Sequence, residues 1–199
     1  GEPHMLAVLS GCAVVLARGE NLATVSQRFR EHEPPPGRMR LLDGLSGSTI
    51  IDDSYNSSPD AAIAALNALK NLTVRGRRIA ALGDMRELGV YSNEAHDAVG
   101  MHVAKSADLL ITVGEESRVI AETAHAAGMG VEKIKSYGYG ESAKAGKEMA
   151  RQLRAGDVIL VKGSQNMIRM ERFVKEIMAE PNRAGELLVR QEPEWLAKP

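Results

Sequence analysis

Ile50-Ile51-Asp52-Asp53-Ser54-Tyr55-Asn56-Ser57-Ser58-Pro59-Asp60 is the stretch whose reading decides the fold of this chain. An apolar run ends in two carboxylates, crosses a polar turn and enters an alanine-rich helical pattern at Pro59, so a buried strand hands over directly to a helix. Proline suits the first helical position, Ser58 is a good residue before it, and Asp60 complements the helix N-terminus. A capping turn explains those three residues by themselves. The same turn also gathers acids, a phenol, an amide and hydroxyls at the carboxyl end of a strand, which is where open α/β sheets bind ligands.

Outward from this stretch the alternation repeats. Strands are expected at 39–43, 49–53, 78–82, 109–113, 133–137 and 158–161, and helices near 59–72, 92–106, 115–127, 141–154 and 168–179. Short apolar runs separated by helices predict a doubly wound α/β domain with a mainly parallel sheet and helices on both faces. Before it, His4 to Leu16 and Leu22 to Glu31 read as N-terminal helices, and the prolines at 34–36 break any regular pattern. The expected division is therefore 1–36, 37–180 and a charged tail at 181–199 that carries Trp195 and docks on the domain surface.

Composition narrows the function classes. A 44% hydrophobic, 26% charged chain of 199 residues is globular, and its apolar stretches fall short of a membrane span. A net charge of −1 with two Phe and one Trp offers neither a basic field nor a stacking surface for nucleic acid. Cys12 is the only cysteine, which excludes an internal disulfide and a cysteine-based zinc site, and it reads as a packing residue. A cytoplasmic monomer is the expectation.

Asp52 to Pro59 closely resembles the Asp-Asp-(Ser/Thr)-Tyr-Asn-x-x-Pro signature of the Mur ligases. Three more stretches are similar to motifs of that family in the same order: Gly37-Arg38-Met39, then Leu82-Gly83-Asp84-Met85-Arg86-Glu87-Leu88-Gly89, then Lys162-Gly163-Ser164 followed by Met170-Glu171. Within the family the match is to the branch that joins D-alanyl-D-alanine to UDP-N-acetylmuramoyl-tripeptide. The resemblance implies a Rossmann-like C-terminal domain at 37–180, with 1–36 a remnant of the central ATPase domain and its linker. It implies ATP and Mg²⁺ as cofactors of a full-length enzyme, held mainly by the domain missing here, and the muramoyl peptide and D-alanyl-D-alanine as substrates.

The resemblance also implies site residues. Arg38 matches an arginine that reaches the ATP phosphates and Asp53 a carboxylate that bonds the ribose, while Tyr55 and Asn56 lie near the adenine or the acceptor. Both charged roles suit the groups, since a guanidinium forks onto phosphate oxygens and a carboxylate accepts from vicinal hydroxyls. Asp52 is expected to orient the turn. The acceptor site is implied at Asn56, Ser57, Asp84, Arg86, Lys162 and Ser164. A Lys-Gly-Ser loop is suited to an anion, because glycine admits backbone amides while lysine adds charge and serine a donor.

Other patterns carry less. Gly138-Tyr139-Gly140 begins a permissive dinucleotide pattern, but at the fifth strand and without the acidic residue that should follow. Gly146-Lys147 is followed by Glu148 and is not a P-loop, and no such loop occurs in the 199 residues. No catalytic group and no metal site is therefore expected in this chain alone. His96 and His102 do not share a helix face and read as surface or helix-packing residues. His4 is similar to a histidine at the start of a family helix, although the asparagines usual there are absent, Met5 and Val8 standing near those positions. Two alternatives stay open: another ligase of the Mur and folylpolyglutamate synthetase superfamily, and a stand-alone ligand-binding module without catalysis. The missing initial methionine and the isolated first helices favour truncation over the latter.

Overall fold

The computed structural model describes residues 2–30, 32–165 and 167–198, the side chains of 2–6, 24 and 28–30 excepted. The His4 and Met5 side chains, the end of the second helix at Glu31, and Asn166 in the Lys-Gly-Ser loop thus lie outside the described residues. The chain divides into two compact units, 1–35 and 36–199. The first holds α1 (Glu2–Ala17) and α2 (Leu22–Arg30). Apolar residues run round the circumference of α1, and Leu9, Val14 and Leu16 stand exposed while Cys12 is half-buried.

The second unit is a six-stranded sheet, β1 (Arg40–Asp43), β2 (Thr49–Asp53), β3 (Arg78–Gly83), β4 (Leu109–Val113), β5 (Ile134–Tyr137) and β6 (Val158–Lys162), in the spatial order β1-β2-β6-β3-β4-β5. All neighbours are parallel except β1 and β2. The exception follows from the connection. Residues 44–48 form a short turn that can join only antiparallel strands, whereas a parallel partner needs a crossover of a dozen residues or more.

Helices α3 (Pro59–Asn71), α4 (Ser92–Val103) and α5 (Arg118–Ala126) carry the crossovers from β2 to β5, and α6 (Ser142–Ala150) carries the return to β6. The chain then runs into α7 (Met170–Ile177) and two single-turn helices, α8 (Ala184–Leu187) and α9 (Pro193–Leu196). Period-two alternation sorts the strand side chains between two cores. Ile51, Ala80, Leu82, Leu110 and Leu160 pack with α3, α4 and α5. Ile50, Ile79, Ala81, Ile111, Ile159 and Val161 pack with α6 and α7, and Ala184, Leu187 and Leu188 join that layer. Full burial of each Ile or Leu stabilises the fold by roughly 1.5–3 kcal/mol.

The order of the strands sets the site. The chain steps from β2 across a gap to β3, moves outward to β5, and comes back to place β6 in that gap. The segment after β3 leads to α4 on one face and the segment after β6 to α7 on the other. A crevice must therefore open between the carboxyl ends of β3 and β6, at the switch point where such sheets bind ligands.

Candidate functional site

At the end of β2 the two carboxylates are used differently. Asp52 is fully buried, with Oδ2 accepting from the Gly37 amide at 3.1 Å and Oδ1 from the Ser54 amide at 3.2 Å. Burial pushes its pKa up to about 6, against the lowering effect of the Ser54 and Gly37 hydrogen bonds and with a small rise from Asp53. Asp53 accepts from the Met39 amide at 3.1 Å and from the Lys162 ammonium at 2.7 Å. The Tyr55 amide donates to Gly37 O at 3.1 Å, so the segment that enters the sheet domain is fastened to the turn that leaves β2. Gly37 sits at φ +68° with its Cβ position 3.0 Å from the Tyr55 nitrogen, a place open only to glycine. Arg38 lies across this fastening and stacks 4.1 Å from the Tyr55 ring centroid. Arg38, Asp53, Tyr55 and Asn56 are thus brought to one sheet corner.

Lys162 is 3% exposed. Its ammonium donates to Asp53 and to Asn56 O at 2.9 Å, so it anchors the β2 turn from the neighbouring strand. The register pairs Asp53 with Lys162 across β2 and β6, which is why a buried ion pair forms there.

The loop after β3 is held from four directions. Asp84 is buried, and its Oδ1 accepts from the Ser117 amide at 2.7 Å while its backbone oxygen accepts from the Ser164 amide at 3.0 Å. The Met85 amide donates to His96 Nε2 at 3.0 Å, which puts the His96 proton on Nδ1 facing Ser92 O at 2.8 Å. The Arg86 amide donates to Ser164 Oγ at 2.8 Å, and its Nη1 donates to the Tyr139 hydroxyl at 3.1 Å. His96 therefore does more than pack a helix. Ser164 stands well before the next helix: α7 begins at Met170, after Arg169 in the left-handed region at φ 54°, and the serine hydroxyl accepts from the neighbouring β3 loop.

Between these loops lies a cleft of about 370 Å³ lined by Asn56, Ser57, Arg86, Glu87, Ser164, Gln165 and Met167. Of the six acceptor candidates, Asn56, Ser57, Arg86 and Ser164 face it, while Asp84 and Lys162 lie behind it and fix its walls.

Sequence reasoning missed the residues that reach this corner from afar. Arg190 in the tail donates to the backbone oxygens of Ser54 and Tyr55 and lies 3.5 Å from Glu171, which is also paired with the buried Arg169. Trp195 is flanked by the guanidiniums of Arg169 and Arg190 at 5.6 and 5.4 Å. The one advance signal was a charged tail bearing the sole tryptophan. Tyr139 lies in the loop set aside as a false dinucleotide motif. Among the described residues no three His, Cys, Asp or Glu side chains converge as a metal site, and no helix is long and apolar enough to cross a membrane.

Comparison with known proteins gives this corner a context. Residues 37–165 match the family model described as Mur ligase, glutamate ligase domain. A UDP-N-acetylmuramoyl-tripeptide–D-alanyl-D-alanine ligase from Bacillus subtilis is 32% identical over 147 residues, covering 72% of this chain and 31% of that protein. A ligase of the same name from Mycobacterium leprae is 29% identical over 181 residues, covering 84% of this chain and 35% of the other. Among solved structures, that of a MurF ligase from Thermotoga maritima in complex with ADP matches with a TM-score of 0.65 at 27% identity, covering 82% of this chain and 35% of that one. The chain spans about a third of the length of the curated relatives it matches.

Proposed function

We propose, because this chain belongs to the Mur ligase family, that it is the C-terminal part of an ATP-dependent ligase joining D-alanyl-D-alanine to UDP-N-acetylmuramoyl-tripeptide in peptidoglycan precursor synthesis. The observation that carries this reading is the convergence of Asn56, Ser57, Arg86 and Ser164, from the loops after β2, β3 and β6, on one cleft. The names of the relatives support the choice of substrates.

In this reading residues 1–36 complete a central ATPase domain, 37–180 form the C-terminal domain, and 181–199 brace its nucleotide corner. Arg38 reaches the ATP phosphates, Asp53 takes the ribose hydroxyls, and Tyr55 and Asn56 border the base. Each Asp53 oxygen has a second lone pair beyond its present bond, so ion pairing to Lys162 orients the carboxylate without using it up. The acceptor enters the cleft against Asn56, Ser57, Arg86 and Ser164, with Asp84 and Lys162 holding the walls. Mg²⁺ is held in this reading mainly by the domain that supplies the phosphate-binding loop, the described residues here having no cluster of three His, Cys, Asp or Glu side chains. A cytoplasmic location accompanies soluble substrates of this kind.

The test uses the complete protein that contains this chain. ADP formation should require both the muramoyl tripeptide and D-alanyl-D-alanine, and Ser164→Ala should raise the KM of the dipeptide several-fold while that of ATP stays put, as for one hydrogen bond of about 0.5–1.5 kcal/mol. Turnover that depends on a folate and glutamate in place of these substrates would replace the reading with that of a folylpolyglutamate synthetase relative.

A further inference from the structure

The described lining of the cleft contains a single cation, Arg86. Lys162, the other cation near it, is buried and its ammonium is engaged by Asp53 and Asn56 O. A dipeptide acceptor brings one carboxylate that must be held and one amine that must stay free to attack. Recognition of the carboxylate therefore falls to Arg86, whose side chain is exposed and long enough to adopt many rotamers. What fixes it is the hydroxyl of Tyr139, which accepts from Arg86 Nη1 at 3.1 Å.

We infer that Tyr139 is a positioning residue for the acceptor, holding the Arg86 guanidinium at the cleft so that its remaining N–H groups receive the acceptor carboxylate. This rests on the ligase reading above.

Three further observations agree with it. Bonding through Nη1 leaves Nε and Nη2 available, and that edge makes the two-pronged contact a carboxylate accepts. The phenol is itself fixed from behind. Its pKa is raised, first by burial and then by interaction with the nearby Asp84 carboxylate, against a lowering effect of Arg86, so it remains a neutral hydroxyl whose oxygen accepts from Arg86. Asp84 is in turn locked by the Ser117 amide, and at Gly114 a Cβ would stand 2.1 Å from Asp84 Oδ1, so no side chain can enter between them. The loop after β3 is thereby held to the loop after β4 at Asp84 and to the loop after β5 at Arg86, beside the cleft.

The experiment is a kinetic comparison in the complete ligase of wild type, Tyr139→Phe, Arg86→Ala and the double variant, with D-alanyl-D-alanine and with its C-terminal amide. Tyr139→Phe removes one oxygen at a half-buried position, so its melting temperature should match wild type. Its acceptor KM should rise about 3- to 10-fold with the KM of ATP unchanged. In the Arg86→Ala background the same change should add nothing, and with the amide, which has no carboxylate, it should have no effect in either background. An unchanged acceptor KM, equal effects on acid and amide, or additive single effects would overturn the role. A wild-type enzyme that rejects D-alanyl-D-alanine and uses another amino-bearing acid would overturn the substrate but not Tyr139, whose effect is then read on that acid and its amide. If no acceptor supports turnover, both fail.

Discussion

Asp52 and Asp53 are adjacent in sequence and opposite in environment. Asp53 meets an ammonium, whereas Asp52 accepts from two neutral backbone amides and meets no cation among the described residues, and the pleat explains why neighbours along a strand see different sides. The consequence is a pH dependence. Asp52 has a folded pKa of about 6 against an ordinary value of 3.8, so it holds its proton more tightly in the folded state. Its contribution to stability is complete below about pH 4 and is lost as pH rises through 6, a change on the order of 3 kcal/mol. Asp52→Asn cannot titrate and carries a fixed cost, because its amide nitrogen cannot accept from a backbone N–H. The advantage of wild type over the variant should therefore shrink by roughly that amount between pH 4 and pH 7. Urea unfolding of both proteins at several pH values measures it, and a gap that does not move with pH would mean that Asp52 stays ionised throughout.

At the scale of elements, two helical glycines decide how closely the outer layers approach. A Cβ on Gly100 of α4 would lie 2.7 Å from Thr123 Cβ and 2.8 Å from Ile120 O of α5, and one on Gly146 of α6 would lie 2.8 Å from Phe173 O of α7. Backbone oxygens in a packed helix cannot step aside. Alanine is the better helix former by about 1 kcal/mol, but overpacking costs about 1–3 kcal/mol, so Gly100→Ala and Gly146→Ala should each destabilise by up to about 2 kcal/mol. Gly185 in α8 has nothing within 4 Å of its Cβ position, and Gly185→Ala should leave stability unchanged or slightly raised. Denaturant midpoints of the three variants check this, and a stabilised Gly100→Ala would show that α4 and α5 can move apart. The same elements show what the sequence makes legible. Strand and helix positions follow from local periodicity, and β2 and β4 occur at the very residues expected, 49–53 and 109–113. The insertion of β6 between β2 and β3 is not a local property, so neither the Asp53–Lys162 pair nor the burial of Lys162 was legible. Gly146 could be rejected as part of a P-loop from its neighbours, yet its packing role depends on α7, which lies more than twenty residues away. The nucleotide and acceptor candidates came from motif resemblance, whereas Tyr139, His96 and Arg190 act through contacts made across loops.

For the whole molecule, the ligase proposed above makes this site one wall of a reaction centre. Arg38, Tyr55 and Asp53 offer a guanidinium, a ring and a carboxylate at one sheet corner, but phosphoryl transfer from ATP in the proposed reaction also needs a phosphate-cradling loop and metal ligands. The 199 residues contain no P-loop sequence, and the described ones contain no metal cluster. The chain by itself should therefore release no phosphate from ATP, and its contact with the nucleotide should be weak. If the dissociation constant is about 1 mM or weaker, ATP at 1 mM stabilises the fold by no more than about 0.4 kcal/mol, which shifts the melting temperature by about 1 to 2 °C. The complete protein, holding both walls, should show a much larger shift at the same concentration together with phosphate release that depends on substrate. Both can be measured side by side on the chain and on the complete protein, with Asp53→Ala and Arg38→Ala in the latter. Those two substitutions should each weaken ATP use by roughly 10-fold or more, since each removes a charge-assisted hydrogen bond of about 1.5–3 kcal/mol. Phosphate release by the chain alone above a mock preparation would show that the machinery is complete within it, and wild-type ATP kinetics in both variants would remove this corner from the nucleotide site.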